Sequence, residues 1–260
     1  MIALVSALSM VSAVAFASHG MAATVDTTDW IGAAQPFPYA GQEGRPAWSW
    51  DRGPGFASRS INGATGTLHS PDAIDGDFRF SGVFSSVEWL NNSGLPYRDN
   101  DPLGIVFGWQ DVDNHYRLGI SGGNHKGFVF DRGSSSEKGL VLIREQDGVD
   151  KVLFNRPNII YDVNRSYSFE VGRKGDEIFF SIMGDFHNDK AENGADIDSD
   201  VLISFQVTDL TFQQGAFGVY SVSTPGSFED LRLVTTPLPP TVLMLVSAFC
   251  LIGFRRVWSG

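Results

Sequence analysis

A single cysteine, Cys250, in 260 residues removes a whole set of chemistries. One thiol cannot make an internal disulfide, a cysteine zinc site or a paired-thiol redox centre. Basic side chains are scarce too, 19 against 30 acidic ones, for a net charge of −11. Phosphate backbones and anionic membrane surfaces are bound through clustered Lys and Arg, so nucleic acid is excluded as a partner. Helical periodicity is missing: between residues 24 and 236 no apolar pattern at the 3.6 spacing survives for more than a turn or two. The five histidines are scattered, without a His-x-His or His-Glu-x-x-His spacing for a metal. No Gly-x-Ser-x-Gly elbow is present, and Gly122-Gly123-Asn124 precedes no helix that could cradle a phosphate.

What the chain does have begins at its two ends. Ile2 to Ala17 carries no charged side chain and runs into the small-residue stretch Ser18 to Ala23, the pattern of a secretory signal peptide over residues 1–23. Cleavage is expected after Ala17, or at Ala22 or Ala23, the later sites fitting the change of composition at Thr24-Val25-Asp26. Only the α-amino group precedes the apolar run, so the start is expected to be truncated. At the other end, residues 237–260, Pro237-Leu238-Pro239-Pro240 breaks any preceding structure, Thr241 to Phe254 is free of charge, and Arg255-Arg256 closes it. That run is short for the roughly 20 residues a bilayer helix needs, which predicts a thin or tilted span. The arginine pair would hold the C-terminus on the cytoplasmic side and the body outside.

This three-part tail resembles the PEP-CTERM sorting signal of Gram-negative, exopolysaccharide-producing bacteria, in a variant form that reads Pro-Leu-Pro-Pro. The resemblance implies an exosortase as processing partner, a transient inner-membrane anchor, removal of the tail and delivery to the cell surface or extracellular matrix. Membrane contact would be limited to the C-terminal helix. Cys250 would leave with the tail, and the mature protein would be free of cysteine.

In the body, residues 24–236, short apolar runs are separated by Gly, Asn and Asp, as in an all-β sandwich or barrel. Strands are predicted at 78–84, 104–110, 116–121, 128–131, 140–144, 151–154, 167–173, 177–183, 201–207, 216–221 and 227–233. Asp111-Val112-Asp113-Asn114, Asp147-Gly148 and Lys174-Gly175-Asp176 supply turn residues and make their flanking strands hairpins. Phe169, Val171, Ile178, Phe180 and Ile182 are expected inward, with Ser168, Glu170 and Ser181 outward. Residues 24–75 read as either opening strands or a loose stalk. No internal repeat is found, so one domain is expected.

The stretch Gly104-Ile-Val-Phe-Gly-Trp-Gln-Asp-Val-Asp-Asn-His-Tyr-Arg-Leu118 resembles the strand-turn-strand signature of concanavalin A-like sandwiches. It is most similar to thrombospondin C-terminal domains and to laminin G-like modules of the three-keto-disaccharide hydrolase type. Gly66–Pro71, Gly76–Phe80, Gly215–Ser221 and Phe228–Leu233 fit the opening and closing strands of that group in order. The resemblance implies a jelly-roll β-sandwich and says little about activity.

Two acidic segments are candidates for calcium, which takes six to eight oxygens: Asp99-Asn100-Asp101, and the loop from Asp185 to Asp200 with Asn188 and Asp189. Asp99, Asp101, Asp185, Asn188 and Asp189 form the expected ligand set, although the second segment lacks the glycine of an EF-hand. The calcium association of thrombospondin-type domains adds to that expectation, against which stands an acidic loop that binds nothing. For a sugar, Trp48 and Trp50 would share one strand face, and Trp89 with Asn91 and Asn92 offers an aromatic beside amides; the competing role for any tryptophan is core packing. Trp109 is expected on the face of Phe107, in the core or lining it. A retaining glycosidase needs two carboxyls about 5 to 5.5 Å apart, and the Glu-x-Asp strand signature that would supply them is absent. The expectation is an exported, non-catalytic module that binds exopolysaccharide or another glycan. A glycan-cleaving enzyme of the same fold, or a purely structural surface protein, remain the alternatives.

Overall fold

The computed structural model describes residues 22–34, 50–59, 65–86, 89–90, 96–97, 102–122, 139–157, 159–186, 201–222, 224 and 226–235. The expected signal peptide up to residue 21, the sorting tail, and the predicted strand at 128–131 lie outside them. Among the described residues no helix is long and apolar enough to cross a membrane.

Strands account for the described body. In chain order they are β1 (Ala23–Thr24), β2 (Ile31–Ala34), β3 (Trp50–Gly53), β4 (Phe56–Arg59), β5 (Thr65–His69), β6 (Ile74–Asp75), β7 (Phe78–Ser86), β8 (Trp89–Leu90) and β9 (Pro96–Tyr97). They continue with β10 (Leu103–Asp111), β11 (Asn114–Ile120), β12 (Leu140–Gln146), β13 (Val149–Arg156), β14 (Ser166–Lys174), β15 (Glu177–Gly184), β16 (Val201–Thr208), β17 (Gln214–Val222) and β18 (Gly226–Thr235). The first sheet runs β16-β15-β14-β7-β18-β4-β3 with β1 also on β18; the second runs β13-β12-β11-β10-β17-β5-β2 with β6 also on β17. β8 and β9 pair with each other. The described part of residues 24–75 therefore supplies opening strands to both sheets.

All three predicted turns close hairpins. In the β12–β13 turn both Asp147 and Gly148 have positive φ, 54° and 72°, the mirror-image geometry whose twist matches paired strands. Along β14 and β15 burial alternates as the pattern requires, with Phe169, Val171, Ile178, Phe180 and Ile182 buried and Ser168, Glu170 and Ser181 half-buried on the other face. The inner faces of the two sheets meet in one core. Phe80, Phe84, Phe169 and Phe228 from the first sheet pack with Leu68, Ile105, Phe107, Leu118 and Val219 from the second. Trp30 joins them, its ring edge-on to Phe217 at 5.6 Å. Truncating a fully buried phenylalanine such as Phe80 would cost about 3–5 kcal/mol in lost transfer energy and cavity.

On β10 Trp109 is buried as expected, but not on the face of Phe107. Phe107 faces the inter-sheet core, whereas Trp109 belongs to a separate apolar cluster on the outer side of the second sheet with Val106, Ile143 and Tyr220. The cause is a bulge. Register shifts between Val106 and Trp109 against β17, and after Phe107 against β11, and Gly108 sits at φ +59°. An extra residue in one strand reverses the faces that follow it.

Candidate functional site

At the end of the sandwich where the β10–β11 turn lies, a cleft of about 570 Å³ opens beside the connection from β16 to β17. Its walls are polar: Gln110, Asp111 and Asn114 from the β10–β11 hairpin, Asp75 from β6, Thr211 and Gln213 from the connection, and Gln214 at the start of β17, with Leu210 and Phe212 as the apolar members. Strand pairing brings these together, since β6 lies on β17 through Gln214↔Asp75. The Gln110 amide donates to the Gln214 carbonyl across the cleft's side. Asp111 Oδ1 accepts from the Asp113 amide at 2.8 Å and from Asn114 Nδ2 at 3.0 Å, which fixes the turn. Leu210 stands 54 % exposed at the rim.

The connection that forms one wall is tied down by a buried polar node. Asp209 Oδ1 accepts from the Tyr116 hydroxyl at 2.6 Å and from the Thr211 amide at 2.9 Å, while its Oδ2 accepts from Arg144 Nη1 at 2.8 Å. Arg144 also donates to Thr211 Oγ1 at 2.6 Å, and the Phe212 amide to the Tyr116 hydroxyl oxygen at 3.2 Å. Arg173 donates to the Phe212 carbonyl. Burial opposes the charge on Asp209, yet the hydrogen bonds from Tyr116 and Thr211 and the Arg144 cation together hold its carboxyl below the ordinary value. Burial, reinforced by that carboxylate, pushes the Tyr116 hydroxyl up to about 12, so it stays a neutral donor. A loop held by this many charge-assisted bonds loses little freedom on binding a ligand.

A second polar constellation lies on the outer side of the same sheet. Trp109 is stacked against His69, ring centroids 5.0 Å apart, and lies 4.6 Å from His115 on its other neighbour. Arg117 Nη2 contacts Glu145 Oε2 at 3.2 Å and Asp150 Oδ1 at 2.7 Å, and Glu145 and Asp150 face each other across β12 and β13. Glu145 and Asp150 converge, but both close on one guanidinium, and Arg117, His115 and Glu145 are all buried. They do not form an open pair flanking a groove, the arrangement glycoside cleavage uses. His115 Nδ1 donates to the Asp111 carbonyl at 3.2 Å, leaving Nε2 as an acceptor. Burial first, and then the Arg117 cation, hold this imidazole well below its usual range. Burial lowers His69 as well, against its hydrogen bond to Ser70.

Of the residues expected from sequence to bind a ligand, Asp99, Asp101, Asn188, Asp189 and Trp48 lie outside the described residues. Trp50 opens β3 and Trp89 opens β8, without a described side chain. Asp185 follows β15, its Oδ2 3.3 Å from Arg165 Nη2 and its backbone carbonyl accepting from the Tyr167 hydroxyl at 2.8 Å. No group of three or more His, Cys, Asp or Glu among the described residues could hold a metal ion. Sequence reasoning missed the cleft because its polar side chains come from three separate segments; the one local cue was Gln213-Gln214 at the start of a strand.

No family model and no curated protein matches the chain. Among solved structures, the carbohydrate-binding module CBM66 from Bacillus subtilis is similar at 14 % identity and a TM-score of 0.48, covering 79 % of this chain and 95 % of that one. A β-1,3-glucanase from Mycobacterium marinum is similar at 12 % and 0.45, with 81 % and 93 % covered. The Lotus tetragonolobus seed lectin is similar at 10 % and 0.43, with 84 % and 100 % covered. At such values the likeness is one of broad shape, and no residue role passes from these proteins to this chain.

Proposed function

We propose that the chain is a non-catalytic glycan-binding module of concanavalin A-like jelly-roll type, exported, sorted through its C-terminal tail and displayed at the cell surface or in the matrix. The observation that carries the binding part is the end cleft: four amide side chains, two carboxylates and a threonine hydroxyl around an exposed leucine, on a loop anchored from below. Amides both donate and accept, as sugar hydroxyls do, and Leu210 offers apolar surface to a ring's C–H face. A neutral or weakly charged oligosaccharide suits this lining. An anionic one would meet Asp75, Asp111 and a chain of net charge −11. Calcium enters this reading only through Asp99, Asp101, Asp185, Asn188 and Asp189, and a rise in unfolding temperature with millimolar calcium over chelator would support that part.

Binding is tested by titrating the protein with immobilised and soluble oligosaccharides, and repeating with the double substitution Leu210→Ala, Gln213→Ala. The expected result is a loss of about tenfold or more in affinity, the equivalent of one net hydrogen bond plus apolar contact. Undiminished affinity in the double variant, or no glycan bound by the wild type, overturns the assignment of the cleft.

A further inference from the structure

Strand alternation turns Ser81, Ser168, Ser181, Ser204 and Gln206 to the outer face of the first sheet and gives it a run of small and polar side chains. An aromatic ring interrupts that run. Phe179 is half-buried on this face, in register with Gly172 of β14 on one side and Gln206 of β16 on the other. A Cβ at Gly172 would lie 2.5 Å from the Phe179 Cζ, so the ring leans across β14 where that strand carries no side chain. Arg79 follows on β7, its Cζ 5.7 Å from the ring centroid. A glycine inside a strand costs stability, and here it makes room for the close approach of the ring.

Around this ring a cavity of about 530 Å³ opens, with Arg79, Glu170, Phe179, Ser181, Ser204 and Gln206 in its lining. Its charges are matched. Arg79 Nε lies 3.5 Å from Glu170 Oε1, and Lys174, which also lines the cavity, stands opposite Glu177 in the β14–β15 register. A ring face beside hydroxyls, an amide and paired charges suits a neutral sugar, whose C–H face meets the ring while its hydroxyls both donate and accept. The cavity is also close to the end cleft. Gln206 lines the one and Leu210 the other, and four residues separate their Cα atoms by at most about 14 Å. The β14–β15 turn meets the wall of the cleft directly, the Asp209 amide donating to the Asp176 carbonyl at 3.1 Å.

We propose that this cavity is a second subsite for the same glycan chain that enters the cleft, so that the module selects a long neutral oligosaccharide that rounds the corner at Leu210 and lies against Phe179. The inference rests on the cleft being a glycan site. A short oligosaccharide engages one of the two places and a long one engages both. The second contact is then intramolecular, and affinity rises with chain length although neither place changes. Selection by length follows from two modest sites around one corner.

The test is calorimetric titration of the full chain, in a detergent without a sugar headgroup, with ladders of linear gluco- and manno-oligosaccharides from disaccharide to octasaccharide. The variants are Phe179→Ala, Gln206→Ala and the cleft double substitution Leu210→Ala, Gln213→Ala, with unfolding midpoints to show that each is folded. Gln206 is exposed, so its variant keeps the test open should Phe179→Ala fail to fold. The expected result is a gain of about tenfold or more in wild-type affinity from the short to the long end of one ladder. Phe179→Ala and Gln206→Ala should flatten that gain, whereas the cleft variant should weaken short and long chains alike. A wild-type affinity that does not rise with length, or a gain that survives in folded Phe179→Ala and Gln206→Ala, overturns the second subsite and leaves the cleft standing. No binding to any ladder overturns both.

Discussion

At the scale of single residues, Gly108 decides which side of the sheet Trp109 serves. It holds φ +59°, and a Cβ there would lie 3.1 Å from both the Phe212 Cβ and the Tyr116 ring. Gly108→Ala is expected to destabilise the protein by about 1–2 kcal/mol, from the left-handed backbone alone. A denaturant midpoint that does not move would show that the bulge relaxes. His115 gives the second residue-scale expectation. Its folded form binds a proton less readily than the unfolded chain, so stability is lost as pH falls from about 6.5, the unfolded value, toward the lower folded one. The groups facing it are Arg117, Glu145, Trp109 and the Asp111 carbonyl. Unfolding temperature measured from pH 7 down to 5 should fall in the wild type and fall less in His115→Gln; parallel curves would assign the decline to other groups.

At the scale of elements, the wall of the cleft is a loop that behaves like a strand because Asp209 and Tyr116 take up its amides. The Thr211 and Phe212 amides, bonded to Asp209 Oδ1 and the Tyr116 hydroxyl, should exchange with solvent slowly for a connecting segment. Tyr116→Phe removes the acceptor of the second and should speed exchange at Phe212 much more than at Thr211. Equal acceleration at both would mean that the whole loop opens as a unit. The strands themselves were legible in the amino-acid pattern because burial on one face imposes period two and two-residue turns demand Gly and Asp. Phe169 to Val171 and Ile178 to Ile182 alternate as read, and Asp147-Gly148 turns where expected. Trp109 was misplaced because alternation carries no mark of a bulge other than a glycine, and glycine has many uses. The cleft was illegible for a different reason: Asp75, Asn114 and Gln213 are distant in sequence and meet only through β6, β17 and the β10–β11 hairpin.

For the whole molecule, sorting makes a prediction that needs no structure of the tail. Cys250 is the one thiol. A precursor should therefore take up one equivalent of a thiol reagent under denaturing conditions, and the surface-displayed form none, if the segment after residue 236 is removed. A surface form that still labels would retire the processing scheme.

The path of β18 adds a geometric consequence. The strand ends at Thr235, opposite Phe78, and Phe78 in turn faces Arg173, the residue that donates to the Phe212 carbonyl behind the cleft wall. β18 therefore ends on the same side of the sandwich as the cleft. If the tail anchors the body as proposed, the cleft would face the lipid, where a long polysaccharide has little room to thread. Severing the tether would then do more than release the molecule, because the same cut would turn the mouth of the cleft outward and make it available.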